Sequence, residues 1–131
     1  MQGSLLVDSS FYISRIRQGA DPLAELAAIS DEWEIVTCGV VMVEVCRGCS
    51  LEKARERFAR AFSTMIMVPT PPKMWHKIMD LAWQIERQGK TMQVTDLTIA
   101  SCALEIDATV LTLDSDFLRV PGLIVTDDLP S

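Results

Sequence analysis

Short runs rich in leucine, valine and isoleucine alternate with stretches of helical periodicity along the chain, and this alternation constrains the fold more than any other feature. Residues 5–7 read as a short buried strand, and Ser9 and Ser10 then supply hydroxyls suited to capping a helix through Phe11, Tyr12 and Ile13. Pro22 suits the first turn of a second helix carrying Leu23, Leu26, Ala27 and Ile29. Further strands are expected over residues 34–37, 65–68, 109–112 and 123–125, where β-branched and apolar residues cluster. Helices are expected over residues 40–47, closed by Gly48, and over 51–63, capped by Ser50. Pro69-Thr70-Pro71-Pro72 breaks the chain before a long amphipathic helix with Trp75, Ile78, Met79, Ala82, Trp83 and Ile85 on one stripe, ending at Gly89 and Lys90. A last helix runs over residues 95–106, and the polar tail from Asp127 to Ser131 is expected to be loosely held.

Strands alternating with helices across short connections imply a mostly parallel sheet covered on both faces. The expected class is therefore α/β, a three-layer α/β/α sandwich. A chain of 131 residues, 49% of them hydrophobic, suits one domain over residues 1–131 with one core. Its start shows no basic leader, and the apolar run Leu5-Leu6-Val7 is too short for a signal peptide or a span, so a cytoplasmic location is expected. In that compartment the four cysteines stay reduced. Cys46 and Cys49 form a Cys-x-x-Cys pair, but zinc takes about four ligands. With one histidine in the chain and no second pair of this kind, they read as small packing side chains.

A formal charge of -6 excludes a protein that grips nucleic acid with its whole surface. Contact must be local, and the best candidate is the segment carrying Lys53, Arg55, Arg57 and Arg60, which also reads as a solvated helix face.

The acids are more informative, because ligands of open parallel sheets gather beyond the carboxyl ends of the strands. Asp8 follows the first strand, Asp114 follows the fourth, Glu44 lies in the helix entered from the second, and Asp96 opens the helix leading to the fourth. Taken singly, Asp8 or Asp96 can be a helix cap. Glu44 resists that explanation, since it sits inside an apolar helical stretch with Arg47 as its one obvious local partner, where an unpaired carboxylate is costly. Converging acids raise one another's pKa unless a cation neutralises them, and an oxygen-only set selects Mg²⁺ or Mn²⁺ over softer ions. Such an ion can hold a phosphodiester, activate water and steady the leaving oxygen. A ribonuclease using the 2′-hydroxyl through two histidines cannot be built from His76 alone, which reads as an ordinary helix residue. Water attack is the remaining route, leaving a 5′-phosphate and a 3′-hydroxyl.

Four segments then carry a family resemblance: Leu5-Leu6-Val7-Asp8-Ser9-Ser10, Val40-Val41-Met42-Val43-Glu44-Val45-Cys46-Arg47-Gly48, Val94-Thr95-Asp96-Leu97-Thr98-Ile99-Ala100, and Leu111-Thr112-Leu113-Asp114-Ser115-Asp116-Phe117. In order and spacing they resemble the PIN-domain family, and within it the VapC-like toxins of toxin–antitoxin pairs. The resemblance implies a five-stranded parallel sheet and Mg²⁺ or Mn²⁺ in an acidic pocket. It also implies endonucleolytic cleavage of RNA. Asp8, Glu44, Asp96 and Asp114 fall on the family's acidic positions, and Asp116 matches a frequent fifth acid. Asp8, Asp96, Asp114 and Asp116 are then the expected metal ligands, with Ser9 or Thr112 ordering water or phosphate. Thr98 departs from the small apolar residue expected there. The likeness further implies a homodimer and a small antitoxin that blocks the site. Seven methionines and three tryptophans can line a groove for it or simply pack the core. Two other readings stay open: a phosphatase, suggested by Asp114-Ser115-Asp116 but lacking an Asp-x-Asp after the first strand, and a non-catalytic PIN-like module binding RNA or protein.

Overall fold

The computed structural model describes residues 2–130. The chain runs through β1 (Gly3–Val7), α1 (Ser9–Arg17), α2 (Pro22–Ala28), β2 (Trp33–Cys38), α3 (Gly39–Gly48), α4 (Glu52–Thr64), β3 (Ile66–Val68), α5 (Pro72–Arg87), α6 (Val94–Glu105), β4 (Thr109–Leu111) and β5 (Val125–Thr126). A 3-10 turn, Ser115–Arg119, lies between the last two strands. The strands form one parallel sheet in the order β3-β2-β1-β4-β5, which is the expected α/β architecture.

Successive strands step away from β1 on one side as β2 and β3, and on the other as β4 and β5. The order therefore reverses between β1 and β4, where a parallel sheet opens a crevice at its carboxyl edge. Leu5, Leu6 and Val7 alternate between faces yet are all fully buried, so helices cover β1 on both sides. The pairs Leu5↔Thr109, Leu6↔Val110 and Val7↔Leu111 set the register that brings Asp8 level with Thr112.

Several local expectations are corrected. Asp8 itself caps α1, accepting from the Ser10 backbone N–H, and Ser9 is already helical. Gly48 belongs to the last turn of α3, which Cys49 closes, and Leu51 rather than Ser50 precedes α4. The fifth strand begins at Val125, because Pro121 and Gly122, the latter at φ +78°, hold the preceding residues in a turn. The tail is tied down through Pro130: Leu129 packs against the core and Asp128 lies 3.6 Å from Arg15. Ser131 lies outside the described residues.

The stripe on α5 also divides. Met74, Ile78, Leu81 and Ile85 are buried, whereas Trp75, Met79 and Trp83, spaced one turn apart along the adjacent line, are 47%, 60% and 60% exposed. Both lines are apolar, so periodicity merged them into one face.

An aromatic cluster ties α1 to α4. Tyr12 meets Phe62 edge-to-face with centroids 5.4 Å apart, and Phe58 at 6.2 Å. Burial pushes the Tyr12 phenol above its ordinary pKa, and its hydroxyl has no hydrogen-bond partner among the described residues. Tyr12→Phe keeps the ring packing and removes a buried unsatisfied group, so it should raise the unfolding free energy by about 1 kcal/mol in urea denaturation. A loss of stability instead would mean that the hydroxyl is bonded in solution.

Candidate active site

Asp8 ends β1 with 3% exposure, and its backbone N–H continues the ladder to the Leu111 carbonyl at 2.9 Å. A carboxylate so buried needs donors. Ser10 Oγ donates to Oδ2 at 2.7 Å and Thr112 Oγ1 donates to the same oxygen at 2.8 Å, while Ser9 Oγ lies 3.5 Å from Oδ1. Thr112 also accepts from the Asp114 N–H at 3.0 Å, and Ser10 accepts from the Leu113 N–H at 3.0 Å. Two hydroxyls thus lock the end of β1 to the chain leaving β4.

Past that lock, Asp114 caps the 3-10 turn, taking the Asp116 N–H at 2.9 Å. Asp116 lies 3.2 Å from Arg119, whose guanidinium also donates to the Thr91 carbonyl at 2.6 Å in the segment before α6. Arg119 therefore joins the turn to the approach of the helix that carries Asp96. Asp96 stands in the first turn of α6, behind the cap residue Gln93. The helix dipole there favours an anion. Glu44, half-buried on α3, is held by Ser9 Oγ at 3.0 Å.

The acids meet in space. One carboxylate oxygen from each of Asp96, Asp114 and Asp116 lies within 4.8 Å of the others. Asp8 and Glu44 flank this group, linked to each other by Ser9. Burial, and then the charges of Asp8, Asp114, Glu44 and Asp116, push the Asp96 pKa up from 3.8 to about 7. Desolvated, mutually repelling carboxylates offering only oxygen fit a hard divalent cation.

The basic residues of α4 are not brought to the acids by any hydrogen bond or ion pair among the described residues. Arg57 binds Asp21, the cap of α2 beyond the far end of α1 from Asp8, at 2.8 Å. Arg55 lies 3.9 Å from Glu52, and Lys53 and Arg60 are exposed. Sequence reasoning passed over Ser10 and Arg119 as site residues. A hydroxyl two places after a strand-end acid was the available signal for the first, and an acid three places before a base for the second. Thr98 is explained by its hydroxyl, which donates to the Val94 carbonyl at 2.7 Å within α6. Cys49 Sγ likewise donates to the Val45 carbonyl at 3.5 Å, and all four cysteines are free thiols.

Residues 5–123 match the family model described as PIN domain. The chain belongs to the PIN domain family. Among curated proteins, none matches this PIN domain by sequence. Solved structures that resemble it include VapBC2 from Rickettsia felis bound to a DNA fragment from their promoter, at 20% identity and TM-score 0.77, covering 94% of this chain and 97% of that one. VapBC-1 from nontypeable Haemophilus influenzae is similar at 18% identity and TM-score 0.76, over 95% and 97% of the two chains. Mycobacterium tuberculosis VapC20, a sarcin-ricin loop cleaving toxin, is similar at 15% identity and TM-score 0.67, over 96% and 99%. At these identities the likeness speaks to the fold. No helix of the described residues is long and apolar enough to cross a membrane.

The raised Asp96 pKa has a sign that can be checked without activity. Between 3.8 and about 7 the folded protein holds a proton that the unfolded chain has lost, so the stability associated with neutral Asp96 falls as pH rises through that window. In chelator, Asp96→Asn should therefore melt above the parent, by a margin that widens from acid to neutral pH and then levels. Equal melting temperatures at pH 8 would contradict this electrostatic account.

Proposed function

We propose that this PIN domain is a Mg²⁺- or Mn²⁺-dependent endoribonuclease, the toxin of a VapBC-type toxin–antitoxin pair. One observation carries the reading: Asp96, Asp114 and Asp116 converge within 4.8 Å at the crevice between β1 and β4, with Asp8 and Glu44 beside them. Asp96, Asp114 and Asp116 would hold the ion, with Asp8 adjoining. When bound, the cation supplies the positive charge these acids lack and makes water a stronger acid.

The chain's own groups have separate tasks in this scheme. Thr112 and Ser10 fix Asp8 and, through the Asp114 N–H, the start of the 3-10 turn. Glu44, anchored by Ser9, would take a proton from attacking water. Arg119 restrains Asp116. Hydrolysis in this manner leaves a 5′-phosphate and a 3′-hydroxyl. The likeness to VapBC complexes and to a sarcin-ricin loop cleaving toxin supports both the substrate class and a small antitoxin partner. The exposed line Trp75, Met79 and Trp83 supports a homodimer that covers it. Cytoplasmic action by one domain over residues 1–131 completes the reading.

The test is cleavage of single-stranded RNA by purified protein with Mg²⁺ or Mn²⁺, followed by sequencing of the new ends. Asp96→Asn, shown folded by circular dichroism, should slow cleavage by about a hundredfold or more. Wild-type cleavage by that variant, or none by the parent, would remove the proposal, and turnover of a small phosphate ester without RNA cleavage would favour a phosphatase. In calorimetry, Mn²⁺ should give binding heat with the parent that Asp96→Asn and Asp114→Asn abolish.

A further inference from the structure

A cleft of about 290 Å³ opens next to the acids, beginning at Thr112 and Asp114 and ending at Thr126 and Asp127. We infer that it is a nucleobase subsite, taking one unstacked, amino-bearing base beside the scissile phosphate; this rests on the ribonuclease reading above.

Its apolar walls include Leu113 and Leu118, which are 45% and 72% exposed. Large aliphatic side chains left in water beside a polar site are well suited to be covered by a flat ring. The opposite wall belongs to β5, which among the described residues is the outermost strand and pairs with β4 alone. Thr126 Oγ1 donates to the Asp128 carbonyl at 3.0 Å and lies 3.5 Å from the Asp128 N–H, so the chain turns tightly at Asp127. Asp128 and Leu129 are engaged elsewhere, but the Asp127 carboxylate has no hydrogen-bond or ion-pair partner among the described residues.

Charge selects the occupant. The lining contains the carboxylates of Asp114 and Asp127 and no lysine, arginine or histidine, so a phosphate would be repelled. A neutral group that presents N–H donors is favoured instead, because ionised carboxylates only accept. Cytosine and adenine each offer an exocyclic amine, and guanine offers two parallel donors that match both carboxylate oxygens. Uracil presents one N–H between two carbonyl oxygens, which the carboxylate disfavours. Since the cleft shares Asp114 with the acid group and includes Thr112, which bonds Asp8, a nucleotide whose phosphate lies at the acids can reach it with its base.

Two measurements separate this inference from the ribonuclease reading. In metal-free buffer, guanosine added to ¹⁵N-labelled full chain should shift the amides of Leu118, Val125 and Asp127, uridine should not, and Asp127→Ala should lose the response. In a random RNA pool, sequenced ends should favour an amino-bearing base over uracil by about tenfold at one position flanking the cut. Asp127→Ala and Leu118→Ala should reduce that preference to about twofold or less. Equal shifts with uridine, or an unchanged preference in Asp127→Ala, would overturn the subsite while leaving the nuclease intact. Guanosine binding by a protein that cuts no RNA would instead remove the ribonuclease and retain the base site.

Discussion

Carboxylates gathered in one cleft repel one another, and parallel pairing of β1 with β4 supplies the frame that holds them. The register Val7↔Leu111 sets Asp8 beside Thr112, and the Thr112 and Ser10 hydroxyls both donate to one oxygen of Asp8. From this lock the rest of the site is placed. Thr112 receives the Asp114 N–H, Asp114 caps the turn that carries Asp116, and Arg119 ties the turn to the chain entering α6. A slip of one residue in that pairing would break the lock, because it turns every side chain of the strand to the other face.

Such an arrangement trades stability for chemistry. Asp8 meets its burial with hydroxyl donors, and Asp116 has a guanidinium beside it. Asp96 has neither remedy, and burial first, then the charges of four other acids, raise its pKa to about 7. That imbalance distinguishes mutually repelling acids from acids that are merely paired, and a functional site is where a fold tolerates it. The neighbouring cleft extends the same logic: negative, partly apolar and lacking any base, it discriminates against phosphate and suits a neutral ring.

Much of this fold is legible in the chain because its signals are local. Strand segments such as Leu5-Leu6-Val7 and Val110-Leu111 are apolar whichever face they present, as burial on both sides requires. Boundaries were less legible. Asp8 outcompetes the serines as cap because it stands one residue earlier, in extended backbone, where a carboxylate can take the Ser10 N–H. On α5, the lines Trp75-Met79-Trp83 and Met74-Ile78-Leu81-Ile85 are both apolar, and only the neighbouring helices decide which is covered.

By itself, the sequence determined the strand–helix alternation, the parallel sheet, the placing of Asp8, Asp96 and Asp114 at strand ends and a helix start, and that of Glu44 inside an apolar helix, because periodicity and local chemistry act over a few residues. Tertiary structure alone decided that Asp96, Asp114 and Asp116 approach within 4.8 Å, that Asp8 is fastened by Thr112, and that Arg57 is held by Asp21 away from the acids. Those relations join residues far apart in the chain. Strand register and helix packing create them, and no local signal along the chain encodes the distance between two such side chains.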